Sequence, residues 1–230
     1  CCGGAVTLVT EVFAEAPAVT GAVFARPVGG GGAGMPLEVR RVLAQARGGR
    51  APALPRLAHG WLVEAAGREA APLWIWGAGH VGRALVRVLA PLPDFSITWI
   101  DTAPERFPGE VPQGVSVVPA AEPAVLVAHA PADAHHLILT YSHALDLDLC
   151  HRLLSHGFAS AGLIGSASKW ARFRRRLSAL GHRDEQIAGI TCPIGDPLLG
   201  KHPAAIAVGV AARLLSARSA VADEARGMAG

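Results

Sequence analysis

From Pro72 to about residue 218 the chain alternates short apolar runs with helical patterns. LWIW, SITWID, GVSVV, HLILTY and SAGLIG are rich in branched or aromatic residues, and each is the length of one buried strand. Between or after them lie VGRALVRVLA, LDLDLCHRLLSHG, SKWARFRRRLSALG and PAAIAVGVAARLL, whose apolar residues recur at helical spacing. Strands of this kind, alternating with helices, predict a parallel sheet covered on both faces. The expected fold class is α/β, a doubly wound parallel sheet over 71–218. Residues 1–70 form a small N-terminal appendage with a linker, and 219–230 a tail that is expected to fray.

Within the appendage a first strand is expected from Val6 to Phe13. The four consecutive glycines of RPVGGGGAGMP then make a flexible connector. PLEVRRVLAQAR reads as a short helix with Leu37, Val42 and Leu43 apolar and Arg40, Arg41 and Arg47 facing water. GWLVEAAGREAAP reads as a strand and turn.

Composition narrows the partners. Half of the 230 residues are apolar and 17% are charged, so a packed core is expected. The apolar run PAAIAVGVAA is about half the roughly 18–20 residues of a membrane span, so no membrane partner is expected. A net charge of +3 and 5% aromatic residues offer no basic stacking platform, and no nucleic acid is expected. Four cysteines (Cys1, Cys2, Cys150, Cys192) are too sparse for a disulfide scaffold, and an adjacent pair closes a strained ring. Free thiols in a reducing, cytoplasmic compartment are expected.

The chemistry gathers at the ends of the apolar runs. LWIWGAGHVGRALVRVLA carries G-x-G-x-x-G at Gly77, Gly79 and Gly82 between a predicted strand and a predicted helix. The first glycine permits the tight turn, the second lets backbone approach a pyrophosphate, and the third lets helix and strand pack closely. Asp101, 24 residues after Gly77 at the next strand end, stands where an acid would bond a ribose 2′-hydroxyl. This context makes the expected fold Rossmann-like. If a nicotinamide dinucleotide binds, Asp101 favours NAD over NADP, although Arg106 lies nearby.

Three further segments should meet at the same sheet edge. In HLILTYSHALDLDLC, Thr140, Ser142, His143 and Asp146 cluster past a strand. Ser142 reads as a helix cap, and His143 as a proton carrier or ligand contact. In SAGLIGSASKWARFRRRL, Gly165 and Ser166 end a strand and open a helix whose amides can hold an anion. Trp170, Phe173, Leu177 and Leu180 should be core. Lys169, Arg172, Arg174, Arg175 and Arg176 read as a solvated face, or else a docking surface for an acidic partner or anionic cofactor. In ITCPIGDPLLGKHPAAIAVGVAARLL, Gly195 through Lys201 fits G-x-x-x-x-G-K. His202 replaces the magnesium-binding hydroxyl, and Pro197 removes an amide from the cradle, so an ATPase is not expected. Lys201 remains a candidate anion contact, and Cys192 is either a buried thiol or a ligand-facing one.

GAGHVG, the aspartate of WID, TYSHALD, GLIGS with SKWARF, and TCPIG with GKHPAAIAV, in this order, resemble the xanthine dehydrogenase accessory protein family (XdhC/CoxI) over about two-thirds of the chain. In that family a CCGG motif like Cys1–Gly4 follows a separate N-terminal domain, so this chain is expected to be a fragment or a shortened form. Asp196 and the glycine run 29–32 depart from the family pattern. The resemblance implies a maturation factor rather than a catalyst, with no catalytic residues. It implies binding of the molybdenum cofactor, a phosphate-bearing molybdopterin. That cofactor would be presented to a cysteine desulfurase for exchange of an oxo for a sulfido ligand, then delivered to apo xanthine dehydrogenase. Self-association as a homodimer is compatible with this role. Cys1 and Cys2 would be the thiols nearest molybdenum or sulfur, thiolate being a soft ligand. Two rivals stand beside this reading: an NAD(P)-dependent oxidoreductase with His143 as acid/base, and a scaffold whose Rossmann site holds no ligand.

Overall fold

A computed structural model of the protein describes residues 10–14, 23–28, 34–48, 54–65 and 70–227. Cys1, Cys2 and the glycine run 29–32 lie outside the described residues. The chain divides into two compact units, Glu69–Arg218 being one and Cys1–Arg68 with Ser219–Gly230 the other.

The N-terminal unit holds β1 (Val23–Pro27), α1 (Leu37–Arg47), β2 (Arg56–Ala58) and β3 (Trp61–Ala65). Its strands form an antiparallel sheet in the order β1-β3-β2, with Phe24 opposite Glu64 and Leu57 opposite Leu62. Alternation along β3 turns Trp61 and Val63 into a small core with Val23 and with Val39 and Val42 of α1. The buried stripe of α1 therefore runs through 39 and 42, with Leu43 half-buried beside it. Leu37, expected inside, is 63% exposed because it stands at the open first turn. Of the strand expected over Val6–Phe13, residues 10–13 are described and are not strand. Val12 and Phe13 are exposed.

The larger unit is a doubly wound α/β fold. Its elements are β4 (Ala71–Trp76), α2 (His80–Leu89), β5 (Phe95–Asp101), β6 (Ser116–Pro119), β7 (His135–Ile138), α3 (His143–His156), β8 (Ser160–Leu163), α4 (Ala167–Ala179), α5 (Asp184–Ile187), β9 (Ile190–Thr191) and, up to Arg218, α6 (Pro203–Gly227). The six strands pair in parallel in the order β6-β5-β4-β7-β8-β9. The chain thus builds outward from β4 to β6 and returns to the other side of β4 at β7. Strand order reverses between β4 and β7, and the ligand crevice of such sheets lies beyond the carboxyl ends at that point.

The central strands are buried on both faces, which explains their continuous apolar character. Leu73 and Ile75 of β4 pack with Leu85 and Leu89 of α2 and with Ala207 and Val210 of α6. Trp76 and Ile138 face the other way, onto Leu149 and Leu153 of α3 and Phe173 and Leu177 of α4. Each such side chain, fully buried, contributes roughly 1.5–3 kcal/mol. The link from β6 to β7, where the sequence shows no helical pattern, is a seven-residue 3-10 segment, Pro123–His129. The two-residue strand β9 is not among the strands the apolar runs mark. Leu180, expected in the core, is 52% exposed because α4 ends at Ala179. Helix α6 continues past 218 to Gly227, into the stretch expected to fray.

His136 occupies the middle of β7 and is fully buried between tryptophans. Its ring stacks on Trp76 at 6.0 Å between centroids, and Trp76 Nε1 donates to its Nδ1 at 3.2 Å. Burial pushes its pKa down to about 3, so the ring is neutral and the hydrogen sits on Nε2.

Candidate functional site

The turn after β4 is built by its glycines. Gly77 has φ +120°, and a Cβ there would lie 2.5 Å from Leu139 O. A Cβ on Gly82 would lie 2.1 Å from Gly77 O. Both positions therefore serve close packing between the turn, α2 and β7. Gly79 differs: nothing lies within 4 Å of its Cβ direction, and no side chain caps α2 there. Backbone at Gly79 thus faces open space beside an uncapped helix N-terminus.

Asp101 holds this turn from the neighbouring strand. Its Oδ2 accepts from Ala78 N at 2.6 Å, and its Oδ1 accepts from Thr102 N at 2.6 Å and Thr102 Oγ1 at 3.1 Å. Arg106 Nε approaches the same carboxylate at 3.4 Å. With that carboxylate 2% exposed, a ribose hydroxyl would have to displace one of these donors. Trp99 Nε1 adds a bond to Gly77 O at 3.1 Å. Arg83 donates from Nε to Ala78 O at 2.9 Å and from Nη2 to Arg106 O at 2.7 Å, tying the turn to the loop after β5.

Two clefts open at this edge, and Tyr141 lines both. The first, of about 380 Å³, is walled by Gly79, His80, Arg83 and Arg106, with Glu105 at its margin. The second, of about 530 Å³, lies between the turns after β7 and β8 and is lined by Thr140, His143, Gly165, Ser168, Lys169 and Arg172. Tyr141 is 66% exposed, and the Arg106 guanidinium lies 4.6 Å from its ring centroid. A planar cation stacked on an aromatic face therefore stands between the clefts.

A buried ion pair forms the floor of the second cleft. Asp146 is fully buried and Lys169 is 9% exposed. Lys169 Nζ donates to Asp146 Oδ2 at 2.6 Å and to Ile164 O at 2.9 Å. Asp146 Oδ1 accepts from Thr140 N at 3.1 Å and Thr140 Oγ1 at 2.8 Å. The pairing of β7 with β8 sets the first turns of α3 and α4 side by side, which brings these residues together. At the rim, Arg172 Nη2 lies 3.4 Å from His143 Nδ1. Ser142 and Ser166 both act as helix caps, accepting from Leu145 N at 3.3 Å and Lys169 N at 3.2 Å.

Cys192 lies beneath Gly165, where a Cβ would meet its Sγ at 3.2 Å and Lys169 Cδ at 2.9 Å. Burial pushes the thiol up to about 11 against the opposing pull of Lys169, so at neutral pH it is protonated. Lys201 stands exposed on the turn before α6 and lines neither cleft. Around it, Pro197–Leu199 forms a 3-10 turn in which Asp196 Oδ1 accepts from Leu198 N at 2.9 Å. The structure thus gathers Gly79, Asp101, His143, Asp146, Gly165, Ser166 and Cys192 at one edge and leaves Lys201 apart from these clefts. The sequence did not single out Tyr141 or Arg83, and it read Lys169 and Arg172 as part of a solvated face or else a docking surface for an acidic partner or anionic cofactor. Of the two, Lys169 is buried and Arg172 exposed, and both line the second cleft. For Lys169 a signal was present: it precedes Phe173 and Leu177 at spacings of four, on their buried stripe.

The strand order and the glycine turn at the point of reversal define a Rossmann-type domain. A family model, the XdhC Rossmann domain, matches residues 73–214, and the chain belongs to that family. It is 28% identical over 144 residues to the uncharacterized protein YqeB of Escherichia coli (strain K12), covering 62% of this chain and 26% of that protein. Among solved structures it is similar to a xanthine dehydrogenase from Bacillus halodurans, with a TM-score of 0.56 and 21% identity. That match covers 70% of this chain and 46% of the other, and at this identity it is a likeness of fold. The chain thus spans about a quarter of the curated relative and just under half of the solved structure. Among the described residues no helix is long and apolar enough to cross a membrane.

Proposed function

We propose that this protein is an accessory factor for xanthine dehydrogenase maturation that binds the molybdenum cofactor at the reversal point of its sheet. The observation carrying this reading is the pair of clefts joined at Tyr141, both walled by cationic side chains. The cofactor's organic part is a flat, polar pterin bearing a phosphate. The residues present suit it: Tyr141 and Arg106 offer a planar stacking surface, and Gly79 leaves open space beside free amides. Lys169 and Arg172 offer positive charge. When bound, the cofactor supplies the molybdenum centre that the client enzyme uses for redox chemistry. This chain's residues would hold and orient its pterin and shield it from water.

In this reading the protein presents the cofactor to a cysteine desulfurase and passes it to apo xanthine dehydrogenase in the cytoplasm, with Cys1 and Cys2 nearest the sulfur. Anaerobic titration with molybdenum cofactor, and separately with NAD and NADP, tests it on the native chain, Tyr141→Ala and Cys1→Ala/Cys2→Ala. Saturable cofactor binding, weakened about tenfold by Tyr141→Ala, is expected; weakening by the double cysteine substitution would add those thiols to the site. Tight dinucleotide binding with no cofactor binding would replace this reading by the oxidoreductase.

A further inference from the structure

We infer that the cleft between the turns after β7 and β8 is a phosphate-monoester subsite, in which the Arg172 guanidinium and the His143 imidazole grip the anion above a fixed Lys169 ammonium. The inference rests on the phosphate-bearing ligand proposed above and assigns its charged end to one place. The sequence pointed to backbone amides at Gly165 and Ser166 for such a role. The structure shifts the task to side chains, because Ser166 already takes the Lys169 amide and caps the helix itself.

Charge decides the ligand class. Among the described residues no carboxylate lines this cleft; Asp146 lies behind Lys169 and is consumed by it and by Thr140. Among the described residues no carboxylate pairs with Arg172. The lining therefore carries one cation neutralised from behind and one that lacks a counter-charge. Such a site repels metal cations and favours an anion.

The donors are also placed for a tetrahedral anion rather than a flat one. Arg172 faces the Nδ1 of His143, which makes that nitrogen the acceptor and leaves Nε2–H as a donor. Ser168, whose Oγ lies 2.9 Å from Ser166 Oγ, adds a hydroxyl to the cleft lining. Lys169 cannot swing away, because Asp146 and Ile164 O fix its ammonium at the floor. The cleft is thus bordered by a guanidinium, an imidazole, a hydroxyl and an ammonium on separate side chains, a set of donors that several phosphate oxygens can share. The cleft of about 530 Å³ has room for the phosphoryl group and the atoms joining it to a ring near Tyr141.

Titration of the full chain with inorganic phosphate at low ionic strength, followed by calorimetry, tests the subsite, with acetate as the flat-anion comparison. Arg172→Ala is the diagnostic variant and Arg176→Ala, exposed on the same helix, the control. Saturable phosphate binding is expected, at least tenfold weaker in Arg172→Ala and within twofold of native in Arg176→Ala. Acetate is expected to bind at least tenfold more weakly than phosphate. Phosphate affinity unchanged by Arg172→Ala, or reduced equally by Arg176→Ala, overturns the inference, the second result marking diffuse attraction to a basic helix.

Competition arms identify the source of the monoester. Displacement of phosphate by AMP points to a nucleotide, and displacement by the molybdenum cofactor to the pterin. Cofactor that binds native chain and Arg172→Ala equally well sinks the subsite and leaves the proposed function standing. Phosphate binding that depends on Arg172, with no cofactor binding, sinks the proposed function and leaves the subsite.

Discussion

Lys169 Nζ and Asp146 Oδ2 lie 2.6 Å apart beneath the larger cleft, on helices that follow neighbouring strands of a parallel sheet. Removing one partner of a buried pair leaves a charge without compensation, which typically costs about 3–5 kcal/mol. The two partners are not equivalent. The lysine head borders the cleft and, once the Asp146 charge is removed, can extend into water, whereas the carboxylate is sealed. Lys169→Met is therefore expected to destabilise by about 3–5 kcal/mol and Asp146→Asn by less. The double change Asp146→Leu/Lys169→Met should recover most of the loss. Urea denaturation of the four proteins measures the order. A larger loss for Asp146→Asn than for Lys169→Met would mean the ammonium cannot relax into the cleft.

The three glycines of the first turn should separate by role. Gly77→Ala and Gly82→Ala each place a Cβ within 2.5 Å of backbone oxygen, where nothing flexible can yield. Strain and displacement of this order destabilise by roughly 1–3 kcal/mol or more. Gly79→Ala meets nothing within 4 Å, so its thermal midpoint should stay within a degree or two of native. Its methyl would instead occupy the first cleft's approach to the α2 amides. A fall in ligand affinity without a fall in stability is the expected signature, read by melting and titration on the same samples.

The sheet was legible because its signals are local. Five strand cores and four helices are marked by apolar runs and by the 3.6-residue period, and parallel pairing follows from their alternation. The site was legible only by position. Asp101 shows why: a strand-end acid can face a ligand or the turn beside it, and sequence spacing is the same for both. Its bond to Ala78 N joins residues 23 apart, so the choice depends on tertiary geometry. Tyr141 was missed because it is exposed and lacks a motif of its own, and Arg172 was named only as one of a basic run, with nothing in the sequence to single it out. Lys169 was missed because a basic run suggested a solvated face, although its spacing placed it on the buried stripe. Leu180 failed in the opposite sense, since it keeps the period of that stripe one residue beyond the helix end.

The thiols at this edge should react slowly and in a fixed order. Burial raises Cys192 to about 11, and Cys150 is raised further in the apolar layer against Asp146. Only the thiolate alkylates, so at pH 7.5 Cys192 is ionised in less than about one part in a thousand. Iodoacetamide labelling followed by mass spectrometry should therefore modify Cys192 at least a hundredfold more slowly than an unstructured cysteine. Cys150 should be labelled only on unfolding. Lys169 pulls the Cys192 pKa down, so Lys169→Met should slow labelling of Cys192 further where the variant remains folded. Faster labelling in that variant would mean that lysine shields the sulfur rather than stabilising its anion.

His136 makes folding sensitive to acid through a group far from solvent. In the unfolded chain the imidazole titrates near 6.5, while in the folded protein burial, with smaller contributions from His156 and His135, lowers it to about 3. The unfolded state therefore binds the extra proton between these limits, and stability must fall as pH drops through that window. The slope approaches about 1.4 kcal/mol per pH unit for one proton. His135 and His182 are lowered too and add to it in the same direction. Above pH 6.5 both states are neutral at His136 and its contribution is flat. Urea denaturation at pH 7.5, 6.5, 5.5 and 5.0 should show the decline begin near 6.5, before most carboxylates protonate. His136→Asn, which keeps a polar partner for Trp76 Nε1, should reduce the slope by about one proton. An unchanged slope would mean that the ring gains its proton without unfolding. Direct observation of the His136 nitrogens by NMR at pH 5 decides the same point in the native chain: the neutral form is expected, and imidazolium shifts there would remove the basis for the acid sensitivity.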